Sequence, residues 1–269
     1  MNDYSKYLKN KKLLQENFAY DPSTEHDACG VGLIATTDGK KSRKIVEYGI
    51  EALKAVWHRG AVDADGKSGD GAGMQLEISP DFFKEKILST GHKHDASKRI
   101  CVGMIFLPRT NYADQEKCRE IIESILLQEN FSIYGWRQVP VNPKVLGKTA
   151  DLNRPEIAQV LFKKNKELET NDLERELFVT RKKIEKEARV NQLKEFYICS
   201  FSSRSIVYKG MFLAEALADF YPDLKDTKFT SRFAIFHQRY STNTFPSWDL
   251  AQPFRTLAHN GEINTVKGN

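Results

Sequence analysis

The chain has 269 residues, of which 40% are hydrophobic and 29% charged, which is the composition of a globular protein with room for one large domain or two small ones. Its net charge of +5 comes from 41 basic and 36 acidic residues that are interspersed, so the charge gives no case for nucleic-acid binding. No run reaches the roughly 18 apolar residues of a membrane span, and the N-terminus lacks the apolar segment of a secretory signal. We therefore expect a cytoplasmic protein that binds neither nucleic acid nor membrane.

A polar leader precedes the first regular element. Residues 1–28 show no sustained hydrophobic period, which predicts a loosely ordered segment. Structure is expected to begin at Cys29, which directly precedes an apolar strand.

Downstream of the leader, strand and helix patterns follow one another along the chain. The predicted strands cover residues 30–36, 74–78, 100–107, 131–139, 156–162, 196–201, 205–208 and 232–238. The predicted helices cover residues 42–57, 82–88, 114–128, 171–193 and 212–220. The strands at 196–201 and 205–208 are close enough to form a hairpin. Many strands with little regular alternation of strand and helix predict an α+β fold with largely antiparallel sheets.

The thiol of Cys29 lies directly before Gly30, with no bulky neighbour to block it. A lone cysteine beside apolar residues is most often a buried core residue. If the chain is cut before Cys29, however, the new α-amino group titrates near ~7.7 to 8.0 and accepts the thiol proton. The cysteines at 101, 118 and 199 lie in apolar strands or a helix and show no metal-ligand spacing, so we expect no metal site.

A guanidinium is predicted at the end of the strand 232–238. Arg239 is followed by the short polar side chains of Ser241 and Thr242. Such a setting suits bidentate capture of an amino-acid α-carboxylate. The alternative is a structural salt bridge.

An oxyanion site is predicted at Asn260 and Gly261. The side-chain amide of Asn260 and the N–H of Gly261 can both point at a tetrahedral oxyanion, because glycine allows a close approach. The alternative is a hairpin turn, which is the commoner use of Asn-Gly. With Cys29 and Arg239, this pair completes the set that amide hydrolysis through an acyl-enzyme needs: a nucleophile, a carboxylate clamp and an oxyanion site.

Two further segments contain glycine next to charged residues. His58-Arg59-Gly60 is typical of a helix end with basic residues and a terminal glycine. The loop over residues 60–73 is rich in glycine and aspartate, but it matches neither the calcium-loop nor the phosphate-loop spacing. We interpret it as a shaped turn near the site.

Five segments taken together carry a family resemblance. They are residues 29–32, 58–61, 68–73, 237–244 and 259–265. Jointly they resemble the class II glutamine amidotransferase domain of glutamate synthase large chains. Other amidotransferases share the Cys, Arg and Asn-Gly elements but place the two arginine motifs much closer together, whereas here they lie at residues 59 and 239, a span of 180 residues.

The resemblance implies an α+β fold of the four-layer αββα N-terminal-nucleophile hydrolase type, with mostly antiparallel sheets. It implies a leader over residues 1–28 that is removed autocatalytically, and an amidotransferase domain over residues 29–269. The abrupt end of the chain predicts that this domain is incomplete at its C-terminus. In the implied site Cys29 is the nucleophile, its own amine is the base, and Asn260 with Gly261 forms the oxyanion hole.

The resemblance also implies how the substrate is held and what the parent protein does. Arg239, with Ser241 and Thr242, would bind L-glutamine, and Arg59 would lie near the nucleophile. Ammonia from glutamine would pass inside the parent protein to a flavin site that aminates 2-oxoglutarate. FMN and an iron–sulfur cluster are expected in that parent and not in this fragment. The implied partners are the remaining synthase domains and either ferredoxin or a small reductase subunit.

Two other interpretations stay open. One is a stand-alone amidase of the same superfamily that releases free ammonia. The other is a non-catalytic structural module that never exposes Cys29 as an N-terminus. The chain lacks the downstream acidic residue expected to hold the α-amino group of the substrate, so we expect this fragment alone to be inactive.

Overall fold

The structure is a computed structural model that describes residues 2–17, 30–239 and 245–254. The described residues fall into two compact units, residues 2–17 and the remainder. Helices in these ranges are α1 (Asn2–Asn17), α2 (Arg43–Ala55), α3 (Pro80–Ser89), α4 (Tyr112–Gln128), α5 (Lys148–Leu152), α6 (Thr170–Val190) and α7 (Leu217–Phe220). Strands are β1 (Val31–Ala35), β2 (Ser68–Glu77), β3 (Cys101–Leu107), β4 (Phe131–Gln138), β5 (Glu156–Lys164), β6 (Tyr197–Ser202), β7 (Ser205–Phe212) and β8 (Phe233–Gln238).

Helix α1 makes the prediction of a loosely ordered leader wrong for residues 2–17. Four lysines and three leucines, together with Gln15 and Glu16, make up nine of its 16 residues, and all four residue types are strong helix formers. Lys12 and Glu16 also pair across one turn at 3.7 Å. Lysines and asparagines interrupt the apolar residues of this helix, so the segment lacks the continuous apolar stripe that makes a helix visible in a sequence.

The first sheet has the strand order β1-β8-β2-β7 and every pairing in it is antiparallel. In β1, Val31 lies opposite His237 of β8. The buried side of α2 packs against β1 and β8, and Ser42 caps this helix by accepting a hydrogen bond from the backbone N–H of Lys44. Helix and strand together place the end of β8 beside the start of β1.

Strand β2 begins at Ser68, so residues 68–73, which the sequence predicted as part of a loop, belong to the strand. Glycines make this possible, since β2 is a central strand with close neighbours on both sides. A Cβ at Gly73 would lie 2.6 Å from the Cβ of Lys209, and Gly71 has a φ of +129° that side chains rarely adopt. The register shifts between Ser68 and Ala72, which marks a bulge at the end of the sheet.

The second sheet has the order β4-β5-β3-β6, again antiparallel throughout. One face packs on α4 and α6 through an apolar core. The other face shares a larger core with the first sheet, which includes Met104 and Phe106 of β3 together with Tyr208 and Phe212 of β7. Strand β3 is buried along its whole length because it is covered on both faces.

The predicted hairpin at 196–208 is wrong. Strand β6 belongs to the second sheet and β7 to the first. The chain turns between the sheets over two residues, and the hydroxyl of Ser202 stabilises this turn by accepting from the N–H groups of Arg204 at 2.9 Å and Ser205 at 3.2 Å. Two apolar runs joined by a short polar link have the same sequence pattern whether the two strands pair with each other or belong to different sheets.

The helix predicted over 212–220 is also wrong in its first half. Strand β7 extends to Phe212, a 3-10 turn spans Ala214–Ala216, and only Leu217–Phe220 is α-helical. The aromatic ring of Phe212 packs against Phe220 and Trp248, so its place in the core overrides the local helical period. Otherwise, two antiparallel sheets with helices packed against each confirm the predicted α+β fold class.

No helix in the described ranges is long and apolar enough to cross a membrane.

Candidate active site

The end of β8 joins three segments that are far apart in the sequence. The N–H of Gln238 donates to the carbonyl of Gly30 at 2.5 Å, and the N–H of Arg239 donates to the carbonyl of Gly71 at 2.7 Å. Gly30 is the residue covalently attached to Cys29. The backbone after the predicted nucleophile is therefore bonded to the strand end that carries the predicted clamp.

Arg239 is 9% exposed, so its guanidinium is largely removed from water. Its Nη1 donates to the backbone carbonyl of Asp70 at 3.4 Å. Burial lowers the pKa of Arg239, and the nearby carboxylates of Asp70 and Asp249 oppose that shift. A carboxylate that reaches this guanidinium would be attracted more strongly than in bulk water.

Lys209 holds the segment that carries Asp249. Its Nζ donates to the backbone carbonyls of Asp249 and Ala251, both at 2.7 Å, and it is 1% exposed. Ala251 in turn lies against Gly71, where an added Cβ would lie 2.7 Å from the Cβ of Ala251. Lys209 of β7 thus anchors the segment 249–251, which packs on Gly71 of β2, next to Arg239.

Gln238 is a residue of this region that the sequence analysis did not single out. Its side chain is 1% exposed, and its Oε1 accepts from the N–H of Ala214 at 2.7 Å. Its Nε2 lies 3.5 Å from the carbonyl oxygens of both Gly71 and Arg239. The available signal was a polar side chain on the same side of β8 as the buried residues Ala234 and Phe236.

Arg59 is the last residue of a 3-10 turn, Trp57–Arg59, that follows α2. Its side chain is exposed. The next residue, Gly60, packs on the Gln238 side chain so closely that an added Cβ would lie 2.6 Å from the Cδ of Gln238. The structure therefore brings the Arg59 turn to the end of β8, although the helix-end interpretation of the same residues also holds.

Asp65, in the loop between Gly60 and β2, has a structural role. Asp65 accepts from the backbone N–H of Ser68 at 2.7 Å, from its hydroxyl at 2.6 Å, and from the N–H of Thr149 at 3.1 Å. These hydrogen bonds hold the pKa of Asp65 well below its usual range. Across the described ranges, no group of three or more His, Cys, Asp or Glu side chains is arranged to hold a metal ion.

Five of the seven predicted site residues lie outside the described residues. They are Cys29, Ser241, Thr242, Asn260 and Gly261. Of the predicted set, the structure brings Arg239 and the Arg59 turn to one strand end, next to Gly30.

Residues 29–269 match the family model of glutamine amidotransferases class-II. This match covers most of the chain. The chain belongs to the class-II glutamine amidotransferases.

Glutamate synthases are among the curated relatives of this class-II amidotransferase. It is 58% identical to the glutamate synthase [NADPH] large chain of Azospirillum brasilense over 98% of its own length and 17% of that relative. It is 47% identical to the ferredoxin-dependent glutamate synthase of Pyropia yezoensis, covering 91% of the chain and 16% of the relative. A ferredoxin-dependent glutamate synthase 1 of Arabidopsis thaliana is 46% identical, over 93% and 15% respectively. The chain thus spans about a sixth of the length of these relatives.

The three cysteines that the structure describes in this amidotransferase are all buried. Cys101 lies in β3, Cys118 in α4 and Cys199 in β6, as predicted. Burial raises the pKa of the Cys101 thiol, and it raises the pKa of Cys118 to about 12. A thiol attacks as its thiolate, so Cys101 and Cys118 are poor nucleophiles at neutral pH.

Proposed function

We propose that the chain carries the glutaminase half-reaction of a glutamate synthase: it hydrolyses L-glutamine to glutamate and ammonia through a thioester on Cys29. The observation that carries this proposal is the junction at the end of β8. There Gly30, the neighbour of Cys29, is hydrogen-bonded to Gln238, the neighbour of the buried Arg239. A nucleophile and a carboxylate clamp at one strand end suit an amino-acid amide, and family membership supports the same reaction.

The proposed mechanism uses one residue as both nucleophile and base. The α-amino group of Cys29 accepts the thiol proton, and the sulfur attacks the side-chain amide carbon of glutamine. The side chain of Asn260 and the N–H of Gly261 stabilise the oxyanion. Collapse expels ammonia, which takes up the proton, and leaves a thioester that water hydrolyses to glutamate and free Cys29.

Arg239 binds the α-carboxylate of glutamine in this proposal. A guanidinium that is 9% exposed and whose pKa burial depresses is stabilised when an anion arrives. Ser241 and Thr242 follow it and add hydroxyl groups to the same contact, and Arg59 lies near the nucleophile. These assignments rest on family resemblance and on the position of Arg239 at the strand end.

The base assignment requires that Cys29 becomes the first residue. We therefore propose that residues 1–28 are a leader that is removed autocatalytically, and that residues 29–269 are an amidotransferase domain that continues further in the parent protein.

In the parent protein we propose that the released ammonia is channelled to the reductive amination of 2-oxoglutarate. FMN and an iron–sulfur cluster would supply the electron transfer for that step. The described residues do not fit an iron–sulfur cluster, because Cys101, Cys118 and Cys199 are buried on different elements and form no metal-ligand group. We assign both cofactors to the rest of the parent chain, as the family resemblance implies.

The proposed partners are L-glutamine, the remaining synthase domains and an electron donor. The higher identity to an NADPH-dependent relative than to two ferredoxin-dependent relatives favours a reductase subunit over ferredoxin. We propose a cytoplasmic location, although several ferredoxin-dependent relatives carry a chloroplastic designation.

Labelling of the full-length parent protein tests the proposal. Intact mass should show a mature chain that begins at Cys29, and a diazo-ketone analogue of glutamine should modify that residue. Saturating L-glutamine should protect Cys29 against the analogue. The buried Cys101 and Cys118 serve as internal controls and should stay unmodified, since their pKa values are raised.

Each alternative has its own signature. An active protein that retains residues 1–28 excludes the amine of Cys29 as the base. Ammonia that escapes to solvent without supporting glutamate formation from 2-oxoglutarate indicates a stand-alone amidase. A protein whose Cys29 never reacts is a structural module.

A further inference from the structure

We infer that Gln238 is a positioning residue for the substrate clamp: its buried amide fixes the backbone from which Arg239 reaches the α-carboxylate of glutamine. The inference rests on the proposed function, because it assigns to Gln238 a role in the same site. The juxtaposition that carries it is one fully buried amide in contact with three segments that border this site.

The amide of Gln238 is held from several directions at once. Its Oε1 accepts from the N–H of Ala214, just after β7, at 2.7 Å. Its Nε2 faces the carbonyl oxygens of Gly71 and Arg239, each at 3.5 Å. With 1% exposure, the amide exchanges none of these contacts for bulk water, so each lost contact leaves a buried polar group unsatisfied.

The glycines around this amide leave room for it. An added Cβ at Gly60 would lie 2.6 Å from the Cδ of Gln238 and 2.9 Å from its Cγ. An added Cβ at Gly30 would lie 3.3 Å from the Cβ of Gln238. The Arg59 turn and the residue after Cys29 therefore both pack on the same glutamine.

Alternation along β8 connects this amide to the clamp. Arg239 directly follows the last residue of β8, and its N–H continues the hydrogen bonding to β2 at Gly71. Successive residues of extended backbone point to opposite faces, so we place the side chains of Gln238 and Arg239 on opposite faces. The backbone N–H of Gln238 is bonded to Gly30 and that of Arg239 to Gly71. The contacts that hold the Gln238 side chain on one face therefore fix the backbone at residues 238 and 239. That backbone sets the position from which the Arg239 side chain extends on the opposite face.

This arrangement separates the positioning of the clamp from the reactivity of the thiol. Loss of the Nε2 donors should tilt Arg239 and weaken the recognition of the α-carboxylate. The intrinsic reactivity of the Cys29 thiol should change little, because the hydrogen bond from Gln238 to Gly30 is a backbone bond that does not use the Gln238 side chain. A residue with a general structural role would instead affect both properties together.

The Gln238→Glu variant of the full-length parent protein tests this separation. The replacement keeps the length of the side chain and an acceptor for Ala214, but it removes the donors to Gly71 and Arg239. We expect the KM for glutamine to rise about tenfold or more while kcat changes less than about threefold. We also expect Cys29 to react about tenfold more slowly with the diazo-ketone analogue of glutamine, and at an unchanged rate with iodoacetamide, which has no α-carboxylate.

Gln75→Glu is the matched control. Gln75 lies near the end of β2, is partly buried and donates to the hydroxyl of Ser205 at 2.9 Å, so it is a glutamine of the same sheet whose hydrogen bond does not involve Arg239. Both electrophiles should label Cys29 of this variant at the same rates as in the unaltered full-length protein. If Gln238→Glu fails to fold, Gln238→Met, which keeps the shape without either polar contact, is measured in its place with the same two reagents.

Three outcomes overturn the inference. Unchanged rates with both reagents show that Gln238 does not orient the clamp. Equal losses with both show that it supports the nucleophile or the fold in general. If the analogue does not label Cys29 in the unaltered protein while iodoacetamide does, the proposed function itself fails, and the assignment of Gln238 fails with it.

Discussion

Two buried arginines of this molecule are held in different ways. Arg137 of β4 donates to both carboxylate oxygens of Asp223, and their side chains are 10% and 4% exposed. Burial alone would lower the pKa of Arg137, but the bond to Asp223 outweighs it and raises the pKa. At Arg239 burial prevails and the pKa is lowered, even though Asp70 and Asp249 lie near.

The difference is the one expected between an arginine with a structural role and an arginine proposed to bind a ligand. The Arg137–Asp223 pair is completed by Gln159 and Tyr208, whose polar atoms bond within the same cluster. Such a closed network leaves no role for a ligand. Arg239 instead directly follows β8, where its Nη1 donates to the backbone carbonyl of Asp70, and we propose that it binds the α-carboxylate of glutamine.

The largest expected effect is at the proposed nucleophile, Cys29. Cys29→Ala should lower glutamine-dependent activity of the parent protein by at least about a thousandfold, because no other group replaces the nucleophile. Activity with added ammonia should remain, which is checked by assaying both nitrogen donors on one preparation. An equal loss with both donors would show that Cys29 supports the synthase as a whole.

Breaking the Arg137 network tests the structural side of the comparison. Asp223→Ala leaves a buried guanidinium without its carboxylate and should destabilise the domain by about 3–5 kcal/mol. A fall in melting temperature measures this loss. Asp219→Ala is the control, because its pair with Lys225 is more than half exposed on both sides and should contribute no more than about 1 kcal/mol. An equal fall in the melting temperatures of the two variants would contradict the structural role of Asp223.

Changing the clamp tests the binding side. Arg239→Lys keeps the charge but loses the planar fork, so the KM for glutamine should rise about ten- to a hundredfold while the melting temperature changes little. The exposed Arg99→Lys is the control and should change neither quantity. An unaltered KM together with a large fall in melting temperature would place Arg239 in the same class as Arg137.

The smallest effect concerns an ion pair at the opposite end of the first sheet. Glu77 accepts from Arg232 at 2.7 Å and lies 3.2 Å from Lys41. Burial of Glu77 raises its pKa, but the bonds from Arg232 and Lys41 prevail and hold the pKa below its ordinary value of 4.5. The unfolded chain therefore binds this proton more readily than the folded chain.

The stability from Glu77 should be present above pH 4.5 and be lost as the pH falls through the lower pKa of the folded state. This direction of the pH dependence is checked by comparing the melting temperatures of the unaltered protein and of Glu77→Gln from neutral pH down to acid pH. The two proteins should differ at neutral pH and converge in acid. A difference that grows in acid would contradict the direction of the pKa shift.

Local signals in the sequence predicted most of the regular elements. Strand β3 is an uninterrupted apolar run, and α2 has a capping serine and a helical apolar period, so both were recognisable from neighbouring residues. The predictions were wrong where two different structures fit the same local sequence pattern. The pair β6 and β7 has the spacing of a hairpin, yet packing sends the strands into different sheets.

The candidate site divides in the same manner. Cys29, Arg239 and the Asn260-Gly261 pair were proposed from residue chemistry and family resemblance. Gln238 was not, because its partners are distant: the carbonyl of Gly71 lies 167 positions away along the chain. A buried hydrogen-bond partner at that separation has no local signature.

By itself the sequence determined the family and the order of most strands and helices, and it supplied the proposed reactive groups, since these depend on residue type and on near neighbours. Only the tertiary structure decided which strands share a sheet, that Arg239 is buried, and that Gln238 joins the residue after Cys29 to the Arg59 turn. Burial and pairing depend on segments that are brought together by the packing of the whole core, and a one-dimensional pattern does not specify which segments those are.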